Sequence, residues 1–576
     1  MSGAVGGRDL TAVAEGSAAR RPVRVVAGKG RHASPRAVAE VREAIGAAPP
    51  EGHRRDLLIE YLHRLQDAHG ALREGHLAAL AGEMRLSMAE VYEVASFYHH
   101  FDIAADDAVV APRTLRVCTG LSCQLAGAQD LLDKARSRLA ADGVRVIAAP
   151  CIGRCEQAPA ALAGQHGVGR ASLDALAAAM SSQAPVPMAA APIGYAAYRA
   201  GGGYALAAAL ARGERSADGV IEALAGAGLR GLGGAGFPAG RKWRIVRDQP
   251  APRYLAVNID EGEPGTFKDR TYLERDPHRF LEGMLIAAAA VGIERVWIYL
   301  RDEYHEARAM LAAELAALKA DPPCPLPAIE LRRGAGAYVC GEESAMLESI
   351  EGKRGEPRMR PPYIAEAGLF GRPTLEHNLE TLYWVRDIVE RGPGWFAGFG
   401  RHGRHGLRSF SVSGRVREPG VKLAPAGITL RELVAEHCGG MADGHELYAY
   451  LPGGASGGIL PAALADVPLD FDTLQPHGAF IGSAGIIVLG HRDRARDAAL
   501  TMMRFFADES CGQCTPCRVG TAKAAALMAE PRWNGPLLDD LARVMEDASI
   551  CGLGQAAPNP LRCVQRYFAH ELDDRG

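Results

Sequence analysis

Gly228-Leu229-Arg230-Gly231-Leu232-Gly233-Gly234-Ala235-Gly236-Phe237-Pro238 decides how the middle of this chain folds. Gly231, Gly233 and Gly236 satisfy G-x-G-x-x-G, the spacing of a dinucleotide-binding turn. Such a turn needs a strand before it and a helix directly after it. Here Ala217 to Leu229 reads as helix, and Phe237-Pro238 interrupts any immediate continuation. The loop is not a Rossmann fingerprint, and a structural turn is its simplest reading. Gly234 and Gly240 lengthen it, which leaves backbone N–H groups free to approach a phosphate, and Lys242 follows with a positive charge.

Two more segments point toward a nucleotide. The strand-like run Arg253–Val257 leads into Asn258-Ile259-Asp260-Glu261-Gly262-Glu263-Pro264-Gly265. Three acidic groups in six residues at a strand end rarely serve packing, although a solvated loop would also carry them. A second strand-like run, Ile329–Arg332, precedes Gly334-Ala335-Gly336-Ala337-Tyr338-Val339-Cys340-Gly341-Glu342-Glu343. Glycines permit close approach there, and the paired carboxylates suit ribose hydroxyls. Acidic residues repel a 2′-phosphate, which favours NAD over NADP.

Outward from this centre, helical and strand patterns alternate over 193–407, as in an α/β domain. Residues 36–105 read as helices, with Ser87 and Glu90 as a capping box and Val91, Val94, Tyr98 and Phe101 as a core stripe. Residues 106–182 read as strand, helix, strand and final helix; 183–192 reads as a Pro/Ala linker. Residues 408–490 are Gly/Pro-punctuated and β-rich, and 491–576 are helical. The first 35 residues read as a disordered tail without an apolar signal core. A length of 576 residues suits about four domains. The net charge of −3 argues against nucleic acid as main partner, and no window is long and apolar enough for a bilayer. A cytoplasmic location is expected.

Eight of the twelve cysteines fall into two groups. Cys118, Cys123, Cys151 and Cys155 sit where two strands pass into loops; four such thiolates hold a tetrahedral metal or a [2Fe–2S] cluster, and spacing alone leaves zinc open. Glu509-Ser510-Cys511-Gly512-Gln513-Cys514-Thr515-Pro516-Cys517 is sharper, because C-x-x-C-x-x-C sets three thiolates around one end of a cubane. The fourth ligand must come from afar. Cys551, flanked by Gly552 and Gly554, is the better candidate than Cys563. Cys324, Cys340, Cys438 and Cys563 read as packing residues.

The segments CTGLSC (118–123), APCIGRCEQAPA (149–160) and SFYHHF (96–101) resemble the thioredoxin-like [2Fe–2S] subunit of respiratory complex I. GLRGLGGAGFPAGRKW (228–243), NIDEGEPGTFKDR (258–270), GAGAYVCGEESAMLESIEGKRG (334–355) and TLEHNLET (374–381) resemble its FMN- and NADH-binding subunit. The resemblance implies a thioredoxin-like [2Fe–2S] domain, a Rossmann-like FMN/NAD domain, a small β-grasp-like domain and a helical [4Fe–4S] bundle. By position it implies that Gly231, Gly233, Gly234, Gly236, Lys242, Asn258, Asp260, Glu261, Gly341, Glu342 and Asn378 surround the flavin and its phosphate. Phe237, Glu263 and Glu343 would face the nicotinamide nucleotide. Cys118, Cys123, Cys151 and Cys155 would hold [2Fe–2S], and Cys511, Cys514, Cys517 and Cys551 would hold [4Fe–4S]. No side chain is expected to act as a catalytic acid or base.

The chain departs from the family pattern at Arg360-Pro361-Pro362-Tyr363, at His377 and at Ile245. It also fuses two portions that complex I relatives carry separately. The blocks AYRAGGGY (197–204), FLEGMLI (280–286), YLRDEY (299–304), SVSGRVREPGVKLAPAGITL (411–430) and LPGGASGGILP (451–461) resemble the β subunit of molybdenum- or tungsten-containing formate dehydrogenases. That resemblance implies a diaphorase subunit. It would pass electrons from a pterin-bearing α subunit through the clusters to FMN, and then as hydride to NAD+.

Overall fold

The computed structural model describes residues 33–181 and 192–572. The expected tail and linker therefore lie outside the described residues, apart from 33–35 and 192.

The N-terminal part is helical. Its helix Met88–Phe97 begins at the expected capping box: Glu90 N donates to Ser87 Oγ at 3.1 Å, and Ser87 N donates to Glu90 Oε2 at 2.9 Å. Val91, Val94, Tyr98 and Phe101 are buried, so the stripe is core.

The first cysteine group lies on a four-stranded sheet. Strands β1 (Arg113–Cys118) and β2 (Val144–Ala149) run parallel, and helix Ala128–Leu139 buries Leu131, Ala135 and Leu139 beside them. Two further strands, β3 (Ala161–Ala163) and β4 (His166–Val168), complete the order β2-β1-β3-β4. This hairpin leaves no mark in the sequence pattern, because three residues are too few for alternation to show.

The central sheet contains β5 (Arg253–Ile259), β6 (Ile293–Leu300), β7 (Ala328–Arg333) and β8 (Thr374–Asn378). All neighbours are parallel and the order is β8-β5-β6-β7. The chain steps outward from β5 to β7 and then returns to the far side of β5. That reversal opens a crevice beyond the carboxyl ends of β5 and β8, where ligands bind in open parallel sheets. The strand β8 is hidden in the sequence, because it is short and Leu375 is its only apolar residue.

The following sheet has β9 (Leu407–Gly414), β10 (Gly420–Pro425), β11 (Leu447–Leu451), β12 (Leu460–Pro461) and β13 (Gly485–Gly490) in the order β10-β9-β13-β11-β12. Within it β9 and β13 pair in parallel, and the other neighbours are antiparallel. Helix Leu430–His437, capped by Thr429 and Glu432, joins its core, which gives a β-grasp-like arrangement.

Helices Ala495–Asp508, Thr515–Ala529, Gly535–Ala548 and Asn559–Tyr567 form the last unit. They share one apolar core with the N-terminal helices and with Ala256, Trp297 and Tyr299 of the central sheet. The first and last helical units thus both pack on the sheet that carries the crevice. Among the described residues, no helix is long and apolar enough to cross a membrane.

Candidate functional site

The glycine loop is a closed turn over the crevice. Gly231 N donates to Phe237 O at 2.8 Å, and Pro238 caps helix Ala239–Arg247. A Cβ on Gly233 would stand 2.9 Å from the Asn378 Cβ, so the loop lies directly against the end of β8. Gly236 has φ 65°, with Phe471 beside it. At Gly231 a Cβ would meet nothing nearer than 3.6 Å, so packing within the chain does not explain that glycine.

Below the loop, one carboxylate organises three elements. Lys242 Nζ donates to Glu376 O and Glu376 Oε2, both at 2.9 Å. Asn258 Nδ2 donates to Glu376 Oε1 at 3.2 Å and to Gly341 O at 3.0 Å. Burial opposes the charge on Lys242, yet Glu376 and Glu343 hold its pKa above the ordinary lysine value. Glu376 falls within TLEHNLET but outside the expected site residues; its polar position in a buried strand is the signal that could have found it. Replacing Glu376 with Ala leaves the half-buried ammonium with Glu343 at 3.9 Å as its remaining counterion and removes charge-assisted bonds, each worth about 1.5–3 kcal/mol. Purified Glu376→Ala protein should retain its circular dichroism but carry well below stoichiometric FMN. Full flavin occupancy would count against this arrangement.

The acidic residues divide by environment. Burial pushes the Asp260 carboxyl well above the usual range, and its Oδ2 has no hydrogen-bond partner among the described residues. It is a polar atom awaiting a partner. Glu261 is engaged elsewhere: it accepts from Asp269 N at 2.9 Å, Arg270 N at 3.2 Å and Tyr304 OH at 2.9 Å. It therefore caps helix Lys268–Arg275 instead of reaching the glycine loop. Glu263 accepts from Ser456 N at 2.9 Å and from Tyr338 OH, which ties the crevice to the β-grasp-like unit. Glu342 caps helix Glu343–Ile350 through Ser344 N and Ala345 N, and its other oxygen meets Arg360. Arg360 also lies 3.1 Å from Glu343.

Asn378 caps the next helix through Glu380 N at 3.0 Å and donates to Asp269 at 2.6 Å. Phe237 stands at the rim, 38% exposed, with Arg241 over its ring. His377 is buried, and burial holds its pKa well below the ordinary imidazole value. Its Nε2 accepts from Trp243 Nε1 at 2.7 Å, which gives this departure from the family pattern a structural role.

The first four cysteines converge at the ends of β1 and β2. All are buried, and Cys151 Sγ lies 3.3 Å from Cys155 Sγ. Hydrogen bonds from Cys118 and Cys155 draw the Cys151 thiol well below its usual range. Cys123 and Cys151 push Cys118 up in turn. Cys118 thus interacts with Cys123 and Cys151, and Cys151 with Cys155; four such thiols, none in a disulfide, are a donor set for a soft metal.

In the second group, Cys514 is the N-cap of Thr515–Ala529 and Cys551 that of Gly552–Ala556. A Cβ on Gly554 would stand 2.9 Å from Cys517 Cβ, so that glycine lets the Cys551 turn close on the triplet. Burial pushes Cys517 up to about 11 and Cys551 up to about 12. Clustered thiolates there require a bound cation. Cys563 is buried in a separate contact, its Sγ 3.5 Å from Gly478 O, and is not part of the group.

Guanidinium groups join the first cysteine loop to the crevice, and nothing in the sequence patterns signals them. Arg301 donates to Glu261 O and, at 2.8 Å, to Cys151 O. Arg270 Nε donates to Gly153 O at 3.1 Å. Gly153 has φ 70° and lies against the Tyr304 ring, where a Cβ would be 2.3 Å from the hydroxyl.

The fold and these sites define a class, the iron–sulfur flavoproteins that react with NAD(H). Residues 224–387 match the Nuo51 FMN-binding domain, and 497–575 match the NADH-ubiquinone oxidoreductase-F iron-sulfur binding region. Residues 41–183 match the thioredoxin-like [2Fe-2S] ferredoxin, and 409–460 match the SLBB domain. The mitochondrial NADH dehydrogenase [ubiquinone] flavoprotein 1 of Dictyostelium discoideum is 40% identical over 382 residues, which are 63% of this chain and 80% of that relative. The mitochondrial NADH-ubiquinone oxidoreductase 51 kDa subunit of Neurospora crassa is 40% identical over 379 residues, 62% of this chain and 77% of the relative. An NAD+-reducing [NiFe]-hydrogenase chain, in its H2-reduced crystal structure, matches with TM-score 0.78 and 33% identity over 90% of this chain and 92% of that one. The chain belongs to the family of the complex I 51 kDa subunit. It is an NAD(H)- and FMN-dependent oxidoreductase subunit with a thioredoxin-like [2Fe–2S] domain and a [4Fe–4S] region.

Proposed function

We propose that this chain is the NAD+-reducing diaphorase subunit of a formate dehydrogenase, working in the cytoplasm beside a molybdenum- or tungsten-pterin subunit. The observation that carries the chemical part is the crevice between β5 and β8. There the glycine loop, Lys242 and Asn258 meet at the end of β8, and Asp260 lies behind Gly341 with its Oδ2 lacking a hydrogen-bond partner among the described residues. Bound FMN would supply the exchange between two-electron hydride chemistry and one-electron chemistry. Gly231 and Gly233 allow the backbone to approach it, with Gly234 and Gly236 shaping the turn. Lys242 neutralises phosphate charge, and protonated Asp260 offers a donor. Gly341 and Asn378 close the far wall, and Glu342 fixes the start of the helix behind it. Phe237, Glu263 and Glu343 face the dinucleotide, with Glu343 steered by Arg360.

The assembly is read from the whole-chain blocks quoted above, which resemble formate dehydrogenase β subunits. A second reading, the diaphorase of an NAD-reducing hydrogenase, is favoured by the hydrogenase chain's likeness over 90% of this one. Co-purification with a pterin subunit and formate-dependent NADH formation should select the first. Hydrogen-dependent NADH formation without a pterin subunit would select the second. If NADH fails to bleach the flavin of cofactor-replete protein, both diaphorase readings fall.

A further inference from the structure

His63, His100 and Asp302 meet where the N-terminal helices rest on the central sheet, and none of them is among the residues placed at the flavin or the two clusters. His63 belongs to helix Leu58–His69 and is 1% exposed. His100 follows helix Met88–Phe97, and Asp302 stands two residues beyond the end of β6. One ligand-capable atom from each residue lies within 4.8 Å of those of the other two. The two imidazole rings are 4.8 Å apart, centre to centre.

The hydrogen bonds set the protonation of each ring. His63 Nε2 lies 2.9 Å from Gly334 O, so this nitrogen carries the proton and Nδ1 keeps its lone pair. His100 Nδ1 lies 2.7 Å from Asp302 Oδ2, so Nδ1 donates there and Nε2 is the nitrogen left for a ligand. His63 Nδ1 and His100 Nε2 are both buried, and neither has a hydrogen-bond partner among the described residues. Two such bare nitrogens side by side are rare in a folded interior. An imidazole held by a carbonyl or carboxylate on one nitrogen, with the other left bare, is how proteins orient a metal-ligating histidine. The nearby charge does not exclude a cation, because Arg333 is matched by Asp302 at 2.5 Å and by Asp67 at 2.6 Å.

We propose that His63 and His100, with Asp302 as the orienting carboxylate, form a site for one transition-metal dication of the zinc type. Neutral imidazoles suit zinc, with water completing the coordination. The metal joins elements far apart in sequence. His63 and His100 come from the N-terminal helices, while Asp302 and Gly334 sit at the ends of β6 and β7. Gly334 begins the loop that runs to Glu342 and Glu343, so the ion would fasten the N-terminal unit to the segment bearing the nucleotide-facing acids.

The test uses full-length, cofactor-replete protein equilibrated with zinc chloride and then desalted. Zinc is counted by elemental analysis and its ligands are read by X-ray absorption at the zinc edge. The expected result is about one zinc per chain with nitrogen/oxygen neighbours at about 2.0–2.1 Å and no sulfur shell at about 2.3 Å. The pair His63→Gln and His100→Gln should lose that zinc. Asp302→Asn should weaken it by about 10–100-fold. Each variant is accepted only with parental flavin content and circular dichroism, and the single substitutions serve if the double one fails to fold. Zinc held only by sulfur would overturn the site, because it would mark misloaded cysteines. So would zinc retained undiminished in every variant, or no zinc bound at all.

Discussion

Cys514→Ser should remove the [4Fe–4S] signal from the electron paramagnetic resonance spectrum and reduce electron delivery between this chain and its partner by more than about 100-fold. Changing a mere outer-shell neighbour of a metal ligand typically costs about 10–100-fold, and Cys514 is one of the four ligands proposed for the cluster. It stands at the N-cap of Thr515–Ala529, one turn before Cys517, with the Cys551 helix start opposite. A serine hydroxyl is a hard and weakly acidic donor, unsuited to iron that four thiolates would hold. The crevice residues lie on other elements, so NADH should still bleach the flavin and reduce dyes. The link to watch is Tyr338 N, which donates to Glu509 at 2.9 Å and ties the cysteine loop to the crevice. Undiminished formate-dependent NADH formation in this variant would refute the assignment.

Lys268→Met should cost about 3–5 kcal/mol at pH 8, the usual loss when one partner of a buried ion pair is removed. Lys268 is 1% exposed. Its Nζ lies 2.9 Å from Asp269, 3.0 Å from Glu380 and 3.2 Å from Asn378 Oδ1. Glu261 is close by; burial, reinforced by Asp269, pushes its pKa up to about 7, and Lys268 restrains that rise. Without the ammonium three carboxylates share one buried site. The loss is large against a total stability of about 5–15 kcal/mol.

Its pH dependence has a definite sign. Glu261 titrates near 7 when folded against an ordinary 4.5, so the folded protein binds more protons across that window. This contribution therefore weakens as pH rises from 4.5 through 7. In the variant the folded carboxylates shift further upward, so its deficit should be smaller at pH 6 than at pH 8. Denaturant midpoints followed by circular dichroism and flavin fluorescence would read this, and Glu380→Gln should restore part of the loss. A midpoint equal to the parent's at pH 8 would show that the lysine is dispensable.

Some of this architecture is legible in the chain because chemistry imposes spacing. The cysteine triplet, the Ser87–Glu90 box and the apolar runs of β5, β6 and β7 are local signals, and local reading finds them. The strand β8 escapes because it is short and Leu375 is its only apolar residue. Glu376 escapes with it, since its role exists only once Lys242 and Asn258 arrive from other elements. The run Asp260-Glu261-Gly262-Glu263 shows another limit. Sequence groups its three carboxylates, while tertiary structure leaves one oxygen of the first without a hydrogen-bond partner among the described residues, sends the second to a helix start and pins the third to Ser456. His377 looks like a departure until Trp243 is seen to donate to it.

The contacts of Arg270 and Arg301 with Gly153 and Cys151 are few, polar and directed at backbone carbonyls. Between freely diffusing proteins such an interface would be weak and sensitive to salt. Carried on one chain, its two sides meet at an effective concentration in about the millimolar range or above. Fusion thus adds a tether to the hydrogen bonds, the ion pairs and the Cys151–Cys155–Phe267 packing that keep the first cysteine loop in place. It also fixes their ratio at one to one whenever the polypeptide is made.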